Sequence, residues 1–159
     1  MSLNSNVISC VGAVVRKNSK ILFVKQTYGQ LKNMWTIPWG IIEMNTQNET
    51  PEQAAIRETM EEGGIESEII GLIGIQNYTD KDNNQNVHFI FLCDYISGDP
   101  TPDYNETNKA LFFDKNELKE IKGKCDEYCY WIANRVYDDN YNVLTPVEKN
   151  PYKPNYGFY

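Results

Sequence analysis

The stretch from Thr50 to Gly64 carries its own start and stop signals for a helix. Thr50 is a favoured N-cap, Pro51 stands at the first helical position, and Gln53 completes a capping box. Gly63 and Gly64 mark the end, because glycine accepts the left-handed backbone conformation that closes helices. The sequence therefore predicts a helix between these signals.

Three glutamates gather on one side of this predicted helix. At about 100° per residue, Glu58, Glu61 and Glu62 fall within an arc of about 100°. The same projection places Ile56 and Met60 on the opposite side. We therefore expect one face of carboxylates and an opposite apolar face that packs on the core.

Two interpretations of the carboxylate face are open from spacing alone. If the face is partly buried, each pair of charges ~5.5 Å apart costs about 3 kcal/mol at an effective dielectric near 20, and a divalent cation would remove that cost. On an exposed face the same pairs cost only a few tenths of a kcal/mol, and acidic helix surfaces are common. Arg57, four residues before Glu61, can hold the carboxylates in a fixed fork, which favours a built site.

Residue preference and periodicity assign the remaining elements. Branched aliphatic and aromatic residues favour strands, and a 3.6-residue repeat of large side chains favours helices. The predicted strands are Val7–Val15, Lys20–Gln26, Ile65–Ile75, Asn86–Ile96 and Lys109–Phe113, the predicted helices are Lys115–Ile121 and Asp126–Tyr137, and a polar loop is predicted over Asn77–Asn86. This order predicts an α+β fold with a mixed sheet and helices packed on it. We expect one domain over residues 1–159, with a core at about 8–137 and an extended tail over 140–159.

The charge balance limits the functions open to the chain. Lys plus Arg is 15 and Asp plus Glu is 22, which gives a formal charge of −7 and a pI near 4.7. General nucleic-acid binders carry the opposite excess, so this class is disfavoured. No apolar run approaches the ~18 residues of a membrane span, and Met1–Asn6 does not resemble a signal peptide. We expect no membrane contact and a cytoplasmic location.

The four cysteines are expected to be free and buried, as is usual in a cytosolic chain: Cys10, Cys93, Cys125 and Cys129. Cys125 and Cys129 are spaced to share a helix face, but a structural zinc site needs about four ligands. The single histidine, His88, lies in an apolar strand-like run, where we expect it to pack. Structural zinc is therefore disfavoured.

The acidic segment resembles the signature of a known enzyme family. Glu49, seven residues, Arg57-Glu58, two residues, Glu61-Glu62, one residue and Gly64-Ile65 are similar to the pattern of the Nudix (MutT-like) hydrolases, Gly-x5-Glu-x7-Arg-Glu-apolar-x-Glu-Glu-x-Gly-apolar. Trp35-Thr36-Ile37-Pro38 precedes it as the family's Trp-x-x-Pro does. Further along the chain, the family has a Glu, a strand and a short helix. Glu106, the strand that follows it and Glu117-Leu118 resemble these three features. The resemblance spans about Ile8 to Leu118.

The sequence departs from the family pattern at three places. Eight residues instead of five separate Gly40 from Glu49, which indicates an insertion of three within Asn45–Asn48. Trp39 replaces the glycine that usually precedes Gly40, and Thr59 replaces an apolar residue. The carboxylates on the helix keep the family spacing.

The resemblance implies the Nudix fold, a mixed β-sheet sandwiched between α-helices. It also implies Mg²⁺-dependent hydrolysis of the pyrophosphate linkage in a nucleoside diphosphate joined to another moiety, with Mn²⁺ as a substitute ion. The metal ligands carried over are the carboxylates of Glu58, Glu61 and Glu62 and the Gly40 carbonyl. Arg57 would orient the glutamates, and Glu58 and Glu106 are the two candidates for the general base.

Three aromatic residues are expected near the cleft and are candidates for substrate binding: Trp39, Tyr78 and Tyr28. A nucleobase needs a flat apolar partner, and stacking on an aromatic is worth ~1–3 kcal/mol per base. Trp39 has an equal alternative, in which it only fills the space beside the sheet that the usual glycine leaves open. The expected partner is a small nucleotide, and a homodimer is compatible with the sequence.

Two other functions of the same fold stay open. One is a nucleotide-binding sensor that is catalytically weak or inactive; the altered loop around Trp39 favours it, and the intact carboxylates argue against it. The other is the isoprenoid-isomerase branch, which relies on a catalytic cysteine and glutamate. Cys93 in an apolar strand is a poor candidate for that nucleophile.

Overall fold

The computed structural model describes residues 6–43, 48–147 and 159, and in chain order these form a mixed sheet with helices on both faces. The strands are β1 (Val7–Lys17), β2 (Lys20–Gln26), β3 (Trp35–Thr36), β4 (Trp39–Ile41), β5 (Glu66–Thr79), β6 (Gln85–Ser97) and β7 (Thr107–Phe113). The helices are α1 (Pro51–Gly63), α2 (Lys115–Glu120) and α3 (Glu127–Tyr137), with a 3₁₀ turn at Lys122–Lys124. The predicted α+β class is confirmed.

The sheet opens between two strands that share one edge of β1. Its order is β3-β2-β1-β6-β5, with β4 also on β1 and β7 also on β2. The pairing of β1 with β6 is parallel and continuous from Val7 to Arg16. On its other edge β1 pairs with β4 at Cys10–Gly12 and with β2 at Arg16 and Lys17. The sheet therefore splits between β2 and β4.

Side chains of β1 alternate between the two faces of the sheet and pack into a separate hydrophobic core on each face. Val11, Ala13 and Val15 pack with Ala54 and Ala55 of α1. Val14 packs on the other face with residues of α3 that are buried too, namely Cys129, Ile132, Ala133 and Val136. Successive side chains of a strand point to opposite faces of the sheet, and those of β1 pack on α1 and α3 in turn. The two helices therefore lie on opposite faces of the sheet.

The capping signals of α1 are confirmed. The Thr50 hydroxyl accepts from the Gln53 N–H, and the Gln53 side chain accepts from the Thr50 N–H, which completes the capping box. Gly64 closes the helix at φ 68°. Local residue choice thus fixes both ends of this element.

The predicted orientation of α1 is wrong. Ile56 and Met60 are 38% and 49% exposed, whereas Glu58 and Glu62 are 5% and 2% exposed. The helix instead presents Ala54 and the other small residues to the sheet, so it lies close enough for its glutamates to enter the split between β2 and β4. The burial of two carboxylates is tolerated because hydrogen-bond donors meet them there.

Several boundaries differ from the sequence-based expectation. The polar loop expected over Asn77–Asn86 is a turn at residues 80–84, since β5 continues to Thr79 and β6 starts at Gln85. Asp80 stabilises this turn by accepting from the backbone N–H groups of Asp82 and Asn84. Within the expected tail, Leu144 forms an antiparallel bridge with Leu72 of β5. The predicted insertion of three lies within Asn45–Asn48. Residues 45–47 are outside the described residues, so the insertion stays a prediction.

The four cysteines are free and buried, as expected. His88 is partly buried and its ring lies 5.7 Å from that of Tyr78, which is a packing contact. Burial lowers the pKa of His88. Over residues 6–43, 48–147 and 159, no helix has the length and apolar character needed to cross a bilayer.

The cap at Gly64 gives a test of the fold. Gly64→Ala places a side chain at positive φ, which costs about 1–2 kcal/mol, and sets its Cβ 2.9 Å from the Thr101 carbonyl oxygen. We expect a fall in the free energy of unfolding of at least that size, measured by urea denaturation.

Two glycines serve as controls. Gly29→Ala has a similar φ of 66° but open space around its Cβ, so it isolates the backbone cost. Gly123→Ala has neither feature and should be neutral. A Gly64→Ala protein as stable as Gly123→Ala would contradict the assigned cap.

Candidate active site

Glu62 occupies the split in the sheet and joins its two sides. Gln26 at the end of β2 donates from Nε2 to Glu62 Oε1 at 3.0 Å, and the backbone N–H of Trp39 in β4 donates to Oε2 at 2.9 Å. Gln26 is itself buried and also donates to Thr36 Oγ1 at 3.0 Å. Burial, opposed by these neutral donors, raises the pKa of Glu62 to about 8.

Arg57 is the hub of the neighbouring carboxylates. Its guanidinium donates to both oxygens of Glu49, at 2.7 and 3.1 Å. Nη1 donates to Glu58 Oε1 at 2.6 Å and to Glu61 Oε2 at 2.9 Å, and Nη2 donates to the Ile41 carbonyl at 3.0 Å. The hydrogen bonds from Arg57 lower the pKa of Glu49, and the glutamates raise that of Arg57. The fork expected from the spacing is present and reaches further, to Glu49 and β4.

Glu58 lies directly against the backbone of β4. A Cβ built on Gly40 would lie only 1.9 Å from Glu58 Oε1, so any other residue at position 40 would displace this carboxylate. Burial raises the pKa of Glu58 to about 7 in spite of Arg57. The structure therefore brings Gly40 and Glu58 together.

Glu106 lies in the loop before β7, near enough to Glu58 and Glu62 to act on them electrostatically. Its charge contributes to the raised pKa values of both Glu58 and Glu62. The Tyr28 hydroxyl lies 3.4 Å from Glu106 Oε2, and burial together with the charge of Glu106 raises the pKa of Tyr28. Glu106 and Tyr28 thus border the site, and their side chains are exposed.

The other two aromatic candidates lie differently. Trp39 is partly buried in β4, next to Gly40, and its indole Nε1 is buried with no hydrogen-bond partner among the described residues. The ring of Tyr78 packs against His88. His88 lies two residues before Ile90, which packs with the α3 core, so Tyr78 is on the sheet face away from α1.

The donor set suits a hard divalent cation. Glu62 is buried with neutral donors, and no Lys or Arg among the described residues forms an ion pair with it. Carboxylate oxygens are the ligands that Mg²⁺ and Mn²⁺ take. In the part of the chain that the structure describes, however, no three acidic, histidine or cysteine side chains are grouped as a ready metal site. Glu61 is exposed and held by Arg57.

Three residues of this region were missed by sequence reasoning. Gln26, Asp103 and Thr107 all donate to or accept from groups of the site. Gln26 has a weak signal, as a polar residue that closes an apolar strand. Asp103 accepts from backbone N–H groups two to four residues further on, a local turn that an aspartate in a loop could have suggested. Thr107 gives no signal, because its partner, the Glu62 carbonyl, lies 45 residues away along the chain.

Comparisons with known proteins identify relatives of this chain. The NUDIX domain family model matches residues 8–133. An ADP-ribose pyrophosphatase of Methanocaldococcus jannaschii is 30% identical over 112 residues, covering 70% of this chain and 64% of that protein. An NAD-capped RNA hydrolase NudC of Vibrio atlanticus is 31% identical over 115 residues, covering 72% of this chain and 40% of that protein. The chain thus spans less than two thirds of the length of these relatives.

Solved structures show the same fold. A NUDIX hydrolase from Nitrosomonas europaea superposes with a TM-score of 0.72 at 24% identity, over 85% of this chain and 72% of that one. A MutT NUDIX hydrolase from Burkholderia pseudomallei gives 0.68 at 21% identity, over 83% and 99%. The family match, the fold and the spacing of the glutamates agree, and the chain belongs to the NUDIX domain family.

Proposed function

We propose that this chain hydrolyses the pyrophosphate linkage of a nucleoside diphosphate joined to another moiety. The observation that carries the proposal is the pair of buried carboxylates, Glu58 and Glu62, held at the split in the sheet with Glu106 beside them. The names of the relatives, an ADP-ribose pyrophosphatase and NAD-capped RNA hydrolases, support this class of substrate. ADP-ribose and NAD are therefore the first compounds to test.

The residues of the site have three roles in this proposal: metal binding, positioning of the carboxylates and general-base catalysis. Glu58, Glu61, Glu62 and the Gly40 carbonyl would hold a divalent ion, and an ion bound there would supply charge neutralisation for the pyrophosphate and activation of a water. Arg57 fixes Glu58 and Glu49 in place, and Gln26 and the Trp39 N–H fix Glu62. Glu58 or Glu106 accepts a proton from the water that attacks phosphorus. Hydrolysis then releases a nucleoside monophosphate and the phosphorylated second moiety.

One observation favours a second function. Arg57 bonds to both Glu58 and Glu61, and the described residues contain no ready metal site. A chain that keeps this arrangement would bind a nucleotide and cleave it slowly or not at all, as a sensor does. The isomerase alternative has no such support, because burial raises the pKa of Cys93 to about 12 and its thiol is fully buried.

The first test replaces the two buried carboxylates. Glu58→Gln and Glu62→Gln should each lower the hydrolytic rate by at least ~10²-fold, the lower end of what a general base supplies. The circular dichroism spectrum should be that of the wild type. Glu120→Gln, an exposed change on α2, is the control and should be fully active. Full activity in both site variants would refute the assignment.

The second test removes the metal. Treatment with EDTA should abolish turnover and added Mg²⁺ should restore it, because the clustered carboxylates repel a phosphate unless a cation lies between them. Phosphate release from ADP-ribose, coupled to a phosphatase, measures the rate. An enzyme that resists the chelator would contradict this mechanism.

The third test concerns Trp39. If its ring stacks on a nucleobase, Trp39→Ala should raise KM by roughly 5- to 150-fold, the equivalent of ~1–3 kcal/mol, and leave the thermal midpoint unchanged. If it only packs, the midpoint should fall by several degrees with KM unchanged. Trp39→Phe keeps a flat ring without the N–H, so it should retain most of the affinity in the stacking case.

A further inference from the structure

A single carboxylate organises the turn that carries Glu106. Asp103 Oδ1 accepts from the backbone N–H groups of Asn105 at 3.1 Å, Glu106 at 3.0 Å and Thr107 at 2.8 Å. It also lies 3.1 Å from the Thr107 hydroxyl. Partial burial opposes ionisation of Asp103, but these donors outweigh it and lower its pKa. Three successive N–H groups therefore converge on one side chain.

The same turn is attached to the site on two sides. Thr107 is fully buried, and its hydroxyl lies 2.8 Å from the Glu62 carbonyl oxygen at the end of α1. Thr27 donates from its backbone N–H to the Glu106 carbonyl at 2.9 Å. The Thr27 hydroxyl lies 2.6 Å from the Asn105 carbonyl and 2.9 Å from that of Glu106. The backbone of Glu106 is thus engaged at both its N–H and its carbonyl.

The turn needs this support. Tyr104, between Asp103 and Asn105, adopts φ 61°, a left-handed conformation that is unfavourable for a residue other than glycine. Its side chain is 76% exposed, so burial of the ring contributes little to holding that conformation. The hydrogen bonds accepted by Asp103 therefore oppose relaxation inside the turn, while those donated by Thr27 hold the carbonyls of Asn105 and Glu106.

We propose that Asp103 is a positioning residue that directs the Glu106 carboxylate toward Glu58 and Glu62. This inference rests on the proposed function, in which Glu106 serves the reaction. Asp103 acts through the backbone of the turn and touches neither substrate nor metal. Thr27 and Thr107 anchor the turn, whereas Asp103 sets its internal shape.

The experiment compares two aspartates with similar local bonding. Asp103→Ala removes the acceptor of three N–H groups, and Asp114→Ala removes the N-cap that accepts from Asn116 and Glu117. Asp114 follows the opposite end of β7 from Glu106, so it is the matched control. Asp103→Asn keeps one acceptor oxygen and is the conservative variant.

Four kinetic results are expected. Asp103→Ala should lower kcat to within about threefold of Glu106→Gln, with KM within about twofold of wild type. Added to Glu106→Gln, it should cost no more than about twofold further, because residues that act as a unit are not additive. Asp103→Asn should recover most of the lost kcat. Asp114→Ala should leave kcat unchanged.

Amide hydrogen exchange gives a readout that does not need turnover. In Asp103→Ala, exchange at residues 105–107 should rise at least about tenfold, with residues 58–62 unchanged. If exchange at 105–107 does not rise, the inference is overturned even in a chain that hydrolyses none of the compounds tested. If exchange at 105–107 rises in a chain that hydrolyses none of the compounds tested, the structural role of Asp103 is supported. The lack of hydrolysis then refutes the proposed function.

Two kinetic outcomes would also overturn the inference. One is additivity of Asp103→Ala with Glu106→Gln, which would mean that Asp103 acts independently of Glu106. The other is full activity of Glu106→Gln while Glu58→Gln is inactive. In that case the hydrolase assignment stands and the positioning role falls.

Discussion

The fork of Arg57 is the interaction on which the site depends. One guanidinium binds both oxygens of Glu49, one oxygen each of Glu58 and Glu61, and the Ile41 carbonyl. It therefore ties the loop before α1, the helix itself and the end of β4 into one unit. Planar bidentate geometry of this kind is available to arginine and not to lysine. The glycine at position 40 then lets the Glu58 carboxylate approach the strand.

The split in the sheet gives the second constraint. Since β1 pairs with β4 and β2 on one edge, the opening between them exposes backbone donors and the end of β2 to α1. Glu62 meets the Trp39 N–H and Gln26 there, both neutral. No Lys or Arg among the described residues pairs with Glu62, which is why the site suits a positive ion or group. Thr107 links the loop of Glu106 to the same helix end.

The orientation of α1 shows why a helical projection was insufficient. Hydrophobicity assigned Ile56 and Met60 to the core, but the helix buries its alanines, Thr59 and two glutamates instead. Small side chains allow close approach to the sheet, and the cost of burying carboxylates is offset by donors from other elements. Gln26, for example, donates to Glu62 from 36 residues away along the chain, and no local pattern reveals such a donor.

The sequence by itself determined what depends on near neighbours. The caps of α1 at Thr50 and Gly64, the strand-forming segments, and the fork of Arg57 with Glu61 follow from residue type and spacing within a turn or two. The spacing of the glutamates was enough to suggest the family. Only the tertiary structure decided which face of α1 is buried, that Gln26 holds Glu62, and that Thr107 ties the turn of Glu106 to the end of α1. These depend on distant segments meeting at the split sheet, where burial and hydrogen bonding outweigh local preference.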